Sequence, residues 1–421
     1  MLKKWMLSLM FFWLMAALAM AGTFRFDGKT DKNALEYQPG ETMVFTVQLL
    51  EDGNPVGGKN LKWIRRGDDG KTEAGTAVSS ATEPLVIKTS IDQPGFVRIT
   101  VSALDDENKP LKNGDKKVTD FDGGAGTRIL EIQGYPEPED FDAYWAKQKA
   151  RLAEVPLRAD CVPVESGNEK ILAYDVKIDC LGKPVSGYFC KPKDAAAKSL
   201  PARVSFHGYG VRSANKPTGA GVNSLALDIN AHGIENGQPE EYYQKLQQNE
   251  LRGYAFSKEE NENPETAYFN GMFLRMIRAL EFIKSQPEWD GKTLIVSGGS
   301  QGGLQCLSAA GLDSDVTECY ANVPWCLDLG GRNLGRQSGW FPAWTDALGY
   351  FDAANHAKRI QGRTEIVAGL GDYVCPPSGQ MVLYNNLKVP VKLTFYQGKT
   401  HSYTMPDAQV WTLEKKGNPA P

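Results

Sequence analysis

The run VSGGSQGGLQCLSAAG, residues 296–311, constrains this chain more than any other stretch. KTLIVSGG has the texture of a strand, and QGGLQCLSAAG that of a helix. Between them four glycines crowd around one hydroxyl, Ser300. A strand that reverses this sharply into a helix holds its corner residue in a strained conformation. Side chains larger than hydrogen on either side of that corner are expected to collide. The glycines of Gly298-Gly299-Ser300-Gln301-Gly302 remove those collisions and leave the serine on the tip. There its oxygen meets the positive end of the helix, which favours a developing negative charge. The pattern is that of an exposed nucleophile; the bland alternative is a tight turn with an incidental serine.

A chain of 421 residues has room for two domains, or for one large domain with an appendage. Its 41% hydrophobic and 23% charged residues are those of a globular chain with a full core. A formal charge of -4 offers no basic field for nucleic acid and no polybasic segment for anionic lipid, so the expected partner is a small or neutral molecule. Residues 1–21 read as a signal peptide: two lysines in MLKKW, the apolar core MLSLMFFWLMAALAM, and the small-x-small triplet Ala19-Met20-Ala21. Cleavage near Gly22 would give a secreted or periplasmic protein with no membrane attachment; an uncleaved anchor is the alternative. The seven cysteines (Cys161, Cys180, Cys190, Cys306, Cys319, Cys326, Cys375) form no C-x-x-C pair, which argues against a zinc cluster. Most sit in apolar runs and are expected to be buried free thiols.

From residue 22 to about 130 the chain reads as short strands, ETMVFTVQLL, KNLKWIRRG, PLVIKTSI and GFVRITVSAL, separated by Gly, Pro, Asn and Asp turns. This predicts a small immunoglobulin-like β-sandwich, either a spacer and packing domain or a glycan-binding module. FDGGAGTRI reads as a loosening of the chain before the second domain, 131–421. There PEPEDFDAYWAKQKARLAEVP opens a helix with Phe141, Tyr144, Trp145 and Leu152 on one face. Strands such as ARVSFHG, SLALDIN, TEIVAGLGD and VKLTFYQG then alternate with helical segments. That alternation predicts an α/β domain with a doubly wound, largely parallel sheet.

A serine nucleophile needs a base, and four histidines are available, His207, His232, His356 and His401. His401 follows the last strand of this group, and the order Ser…Asp…His is that of an α/β-hydrolase. His207 and His232 precede the serine, and DAANHAKRI places His356 on a helix surface. Asp372, at the end of TEIVAGLGD, is the preferred acid to orient the imidazole; Asp328, in CLDLGG, is its competitor. The backbone N–H groups of Gln301 and of Tyr209, in the turn FHGYG, are the expected oxyanion donors. Trp325, in NVPWCLDLG, either walls the acyl pocket or is a core tryptophan.

FHGYG, GGSQGG, GDYVCPPS and PEPEDFDAYW together resemble the acetyl xylan esterase and cephalosporin C deacetylase family of carbohydrate esterases, over roughly residues 135–410. The resemblance implies a catalytic triad of Ser300, Asp372 and His401, with Tyr209 and Gln301 as oxyanion donors. It implies removal of acetyl groups from sugar hydroxyls with no metal or cofactor, a preference for short acyl chains, and a homo-oligomer. Two departures stand out: the family's R-G-Q-G run is Asn230-Ala231-His232-Gly233, and Ser402 stands where a glutamate follows the histidine. The expectation is thus an exported serine esterase acting on acetylated xylan or its oligosaccharides. A serine hydrolase of a different ester or a peptide, and a non-catalytic glycan-binding protein on the same scaffold, are the rivals.

Overall fold

A computed structural model describes residues 22–417. The predicted signal peptide lies outside the described residues. Among the described residues no helix is long and apolar enough to cross a membrane.

The four strands expected before residue 130 form as Met43–Glu51, Asn60–Gly67, Leu85–Thr89 and Gly95–Leu104. Each carries the two-residue alternation that buries one face: Met43, Phe45, Val47 and Leu49 point inward on the first, Val97, Ile99, Val101 and Ala103 on the last. They belong to two four-stranded antiparallel sheets. Phe24–Thr30, Asn54–Pro55 and Leu85–Thr89 pair with Met43–Glu51 in one. Phe121–Thr127, Gly95–Leu104, Asn60–Gly67 and Thr72–Val78 follow in order in the other. One expectation fails here. FDGGAGT is not a loosened segment but the strand Phe121–Thr127, every residue of it buried. Its glycines permit close backbone approach, a use of glycine that composition cannot separate from flexibility.

The second region carries a ten-stranded sheet. Six neighbouring strands run parallel: Leu225–Ile229, Leu200–Phe206, Trp289–Gly299, Glu318–Asn322, Arg363–Gly369 and Pro390–Tyr396. Three antiparallel strands extend one edge and Val410–Lys416 the other, so the sheet is mixed. Helix Phe141–Ala153 forms where expected and buries Phe141, Tyr144, Trp145 and Leu152. Leu200–Phe206 is flanked on one side by the strand that follows it in the chain and on the other by Trp289–Gly299. Strand order therefore reverses between Leu200–Phe206 and Trp289–Gly299, and the carboxyl ends at such a reversal open a crevice. Ser300 ends one of these two strands, and Tyr209 stands just beyond the other.

Candidate active site

Ser300 adopts φ 55° and ψ -119° between the strand Trp289–Gly299 and the helix Gln301–Leu312. Such a conformation costs a non-glycine residue roughly 1–3 kcal/mol. It is held by the Ser300 N–H on the Asn322 carbonyl (2.9 Å) and by Leu304 and Trp325 N–H groups on the Ser300 carbonyl (both 3.0 Å). The steric demand is narrower than the sequence suggests. A Cβ at Gly298 would lie 2.3 Å from the Gly302 carbonyl, and one at Gly302 only 2.0 Å from the Phe206 oxygen. At Gly299 the nearest atom would be an ordinary 3.6 Å away. Gly298 and Gly302 are thus required by close approach, whereas Gly299 is not.

The structure brings Ser300, His401 and Asp372 together. His401 Nε2 lies 2.9 Å from Ser300 Oγ, and Nδ1 lies 3.0 Å from Asp372 Oδ2. Asp372 is buried, and its other oxygen accepts from the Val374 and Cys375 N–H groups at 2.9 Å each. Those bonds orient the carboxylate, leaving Oδ2 for the imidazole. Asp328 is engaged elsewhere: Arg336 donates to it at 2.5 and 2.7 Å, and the Tyr135 N–H at 3.0 Å. Asp372, Cys375 and His401 also place three ligand-type atoms within 4.8 Å of one another. A cation there would take the Nδ1 that faces Asp372, and burial pushes the Cys375 thiol well above its ordinary pKa, towards its protonated form.

The N–H groups of Tyr209 and Gln301 make no hydrogen bond among the described residues. Gln301 adjoins the serine, and a Cβ built at Gly208 would sit 3.6 Å from Ser300 Cβ, so the turn that carries Tyr209 lies against the serine. The turn carrying Tyr209 is fixed from behind. Gly210 N–H donates to Tyr254 Oη (2.7 Å), which donates to Gln301 Oε1 (2.9 Å). The Tyr209 and Tyr254 rings stack at 4.1 Å. His207 donates from Nδ1 to the Gly208 carbonyl (2.7 Å) and accepts the Ala231 N–H at Nε2 (3.2 Å). Desolvation by burial lowers its pKa to about 4, which keeps it neutral and in this tautomer. His232, which stands in the departure from R-G-Q-G, faces the Gly210 carbonyl at Nε2 (3.1 Å) and the Tyr268 hydroxyl at Nδ1 (2.6 Å); burial lowers it to about 3. Arg275, from the helix Tyr268–Lys284, donates to the Ala231 carbonyl at 2.6 and 3.1 Å. A buried guanidinium therefore does serve this region, reached from a helix over forty positions downstream. His356 is no surface residue: it is fully buried among Phe141, Trp145 and Phe273, and burial lowers its pKa to about 3.

Trp325 is fully buried, and its Nε1 donates to the Trp340 carbonyl (2.6 Å). Together with Tyr209, Phe256 and Trp340 it forms an aromatic cluster beside the serine, of which Trp340, 44% exposed, is the open member. Tyr373, next to Asp372, is 52% exposed. The sequence reading missed Tyr254, Trp340 and Tyr373. Tyr373 lies within GDYVCPPS without a role read from it, Tyr254 and Trp340 stand in no motif, and only the fold gathers the three.

A sequence profile described as Acetyl xylan esterase (AXE1) matches residues 131–330 and 343–414. The chain is 28% identical over 275 residues to acetyl esterase Axe7A of Xylanibacter ruminicola, a match covering 60% of this chain and 61% of that protein. It thus spans about six-tenths of the length of this curated relative. Its fold is similar to that of the acetyl xylan esterase from Paenibacillus sp. R4 (28% identity, TM-score 0.56, 66% of this chain and 94% of that one). It is also similar in fold to acetyl xylan esterase 1 from Thermoanaerobacterium sp. JW/SL YS485 (23% identity, TM-score 0.55, 66% and 94%). The double sheet before residue 131 and the segment 331–342, which carries Trp340, lie outside the profile match.

Proposed function

From the premise that this chain belongs to the acetyl xylan esterase family, we propose that it is a carboxylic ester hydrolase that removes acetyl groups from carbohydrate hydroxyls, acetylated xylan or its oligosaccharides being the substrate class. One observation carries the reading: an unbroken hydrogen-bonded line from Ser300 through His401 to a buried Asp372, at the carboxyl ends of the sheet. Ser300 Oγ attacks the acetyl carbonyl carbon while His401 Nε2 takes its proton. The oxyanion so formed is met by the N–H groups of Tyr209 and Gln301, each worth about 3 kcal/mol of transition-state stabilisation. Collapse breaks the bond to the sugar oxygen, which leaves with the proton from His401. Water then gives a proton to His401 and attacks the acetyl-enzyme, and acetate departs as the proton returns to Ser300. Asp372 stays ionised throughout and stabilises the imidazolium.

The sugar is read as lying against Trp340 and Tyr373, partly exposed aromatics whose rings suit the apolar faces of a pyranose. The two sheets over 22–130 are read as an immunoglobulin-like sandwich preceding a catalytic domain of α/β-hydrolase type, 131–421. Residues 1–21 are read as a cleaved export signal, which N-terminal sequencing of the mature protein tests. The decisive experiment on function is initial-rate hydrolysis of nitrophenyl acetate, butyrate and octanoate, with acetate release from acetylated xylan in parallel. Turnover of acetate that falls steeply with chain length, with release from the polymer, is the expected result. Retention of turnover by folded Ser300→Ala would overturn the assignment of the nucleophile.

A further inference from the structure

We infer that the N-terminal double sheet is a positioning element for the catalytic base and acid, acting through two glutamines, Gln397 and Gln409, that bracket His401. The inference rests on the reading of His401 as the base. Gln397 is fully buried; its Nε2 donates to the Gly124 carbonyl (2.9 Å) and its Oε1 accepts the Gly124 N–H (2.8 Å). A side chain so placed imitates a neighbouring strand. At the other end of the loop, Gln409 makes the same pair of bonds to Thr30, accepting its N–H (3.0 Å) and donating to its carbonyl (3.4 Å). The Gln397 N–H meanwhile donates to the Gln409 carbonyl (2.9 Å), which closes the base of the loop. The loop bearing His401 is therefore stapled at both ends to backbone of the N-terminal sheets.

The acid loop leans on the same strand. A Cβ at Gly124 would lie 2.6 Å from the Leu370 oxygen, and one at Gly371 would lie 2.1 Å from the Asp122 oxygen. Gly371 N–H donates to the Lys399 carbonyl (3.1 Å), tying the acid and base loops to each other. Arg98, paired with Asp122 at 2.9 Å, lies over the ring of Tyr373 at 5.1 Å, one residue past the acid. Neither glutamine touches reacting atoms, so both are positioning residues.

The test uses the full chain, with nitrophenyl acetate kinetics well below the melting temperature and circular dichroism to establish folding. Gln397→Leu should lower kcat about 10-fold or more while leaving KM within about two-fold, because a displaced base costs the chemical step rather than binding. Gln409→Leu, at the less buried end, should lower kcat less, with the same split. Gln397→Glu supplies a readout that a purely structural role would not move. Its carboxylate accepts from Gly124 N–H but is repelled by the Gly124 carbonyl, whereas the protonated acid restores both bonds. Its activity relative to wild type should therefore rise as pH falls from 8 to 5.5. Folded variants that keep kcat within about two-fold, or a flat Gln397→Glu ratio, overturn the inference. If Gln397→Leu does not fold, Gln409→Leu and the Gln397→Glu ratio decide. Failure of the underlying reading looks different: folded Ser300→Ala stays active, or wild type turns over no acetate ester.

Discussion

Ser300 and the N–H groups beside it are held by residues 206 to 325, through glycine contacts, three tyrosines, two neutral histidines and Arg275. Asp372 and His401 are held in large part by a strand 273 positions earlier in the chain from Gln397 and by Thr30, 379 positions from Gln409. The first half of the centre is made by local backbone geometry; the second is borrowed from another part of the molecule. Residue choice in the two halves follows from that difference. The nucleophile side tolerates no Cβ at Gly298 or Gly302. The acid and base side depends on amide groups that find backbone across a long loop closure.

The contrast is broken most severely at Gly302. Gly302→Ala should cost about 3 kcal/mol of stability and nearly all turnover, because Phe206 backbone cannot move away without disturbing its strand. Gly299→Ala should cost less than about 1 kcal/mol. Urea unfolding and nitrophenyl acetate rates on the pair test this, and equal effects would refute the steric distinction. Next comes Tyr254→Phe, which deletes the hydroxyl joining Gly210 N–H to Gln301 Oε1. Losing that bridge should cost about 1–3 kcal/mol in the transition state, a fall in kcat/KM of roughly 5- to 150-fold. Trp340→Ala should act on the substrate rather than on the chemistry. It should raise KM for acetylated xylo-oligosaccharides several-fold, for a loss of about 1 kcal/mol, with a smaller change for nitrophenyl acetate.

The smallest effect distinguishes the halves by pH. His207 and His232, behind the nucleophile, have pKa values lowered to about 4 and 3 by burial. The unfolded chain binds protons below about pH 6.5 that these folded histidines refuse, so stability falls as pH drops from there towards 4. Asp68, buried in the N-terminal region and accepting the N–H groups of Phe96 in its own sheet and of Gln337 in the second region, is raised to about 6, chiefly by desolvation. Its folded form takes up a proton before the unfolded one does, so between pH 6 and 4 it adds stability as pH falls. Asp68→Asn removes that opposing term, and its unfolding free energy should decline more steeply with acid than that of wild type, by about 1 kcal/mol per pH unit. Identical slopes would show that Asp68 does not titrate in this window.

The sequence was most legible where function is written in backbone chemistry. The strand-turn-helix at Ser300 and the strand ends before Asp372 and His401 could be placed because glycine and apolar runs carry positional meaning. It was least legible where one residue type serves two ends. Gly123 and Gly124 read as flexibility, whereas Gly124 makes room for the Leu370 carbonyl and Gly123 for Gln397 Oε1. His356 read as a surface residue because it sits among charged neighbours, although Phe141, Trp145 and Phe273 enclose it. Trp325 stood out for its place near the motif, yet the open aromatic of that cluster is Trp340, which no pattern marks.

The long reach of the two glutamines also sets an order of events in folding. Contacts between residues this far apart form only after the intervening chain has been brought together, which makes them slow and late. The nucleophile turn needs only its own sheet to form. The base loop must wait until Thr30 and Gly124 arrive, so a refolding chain should regain its sheet signal before it regains turnover.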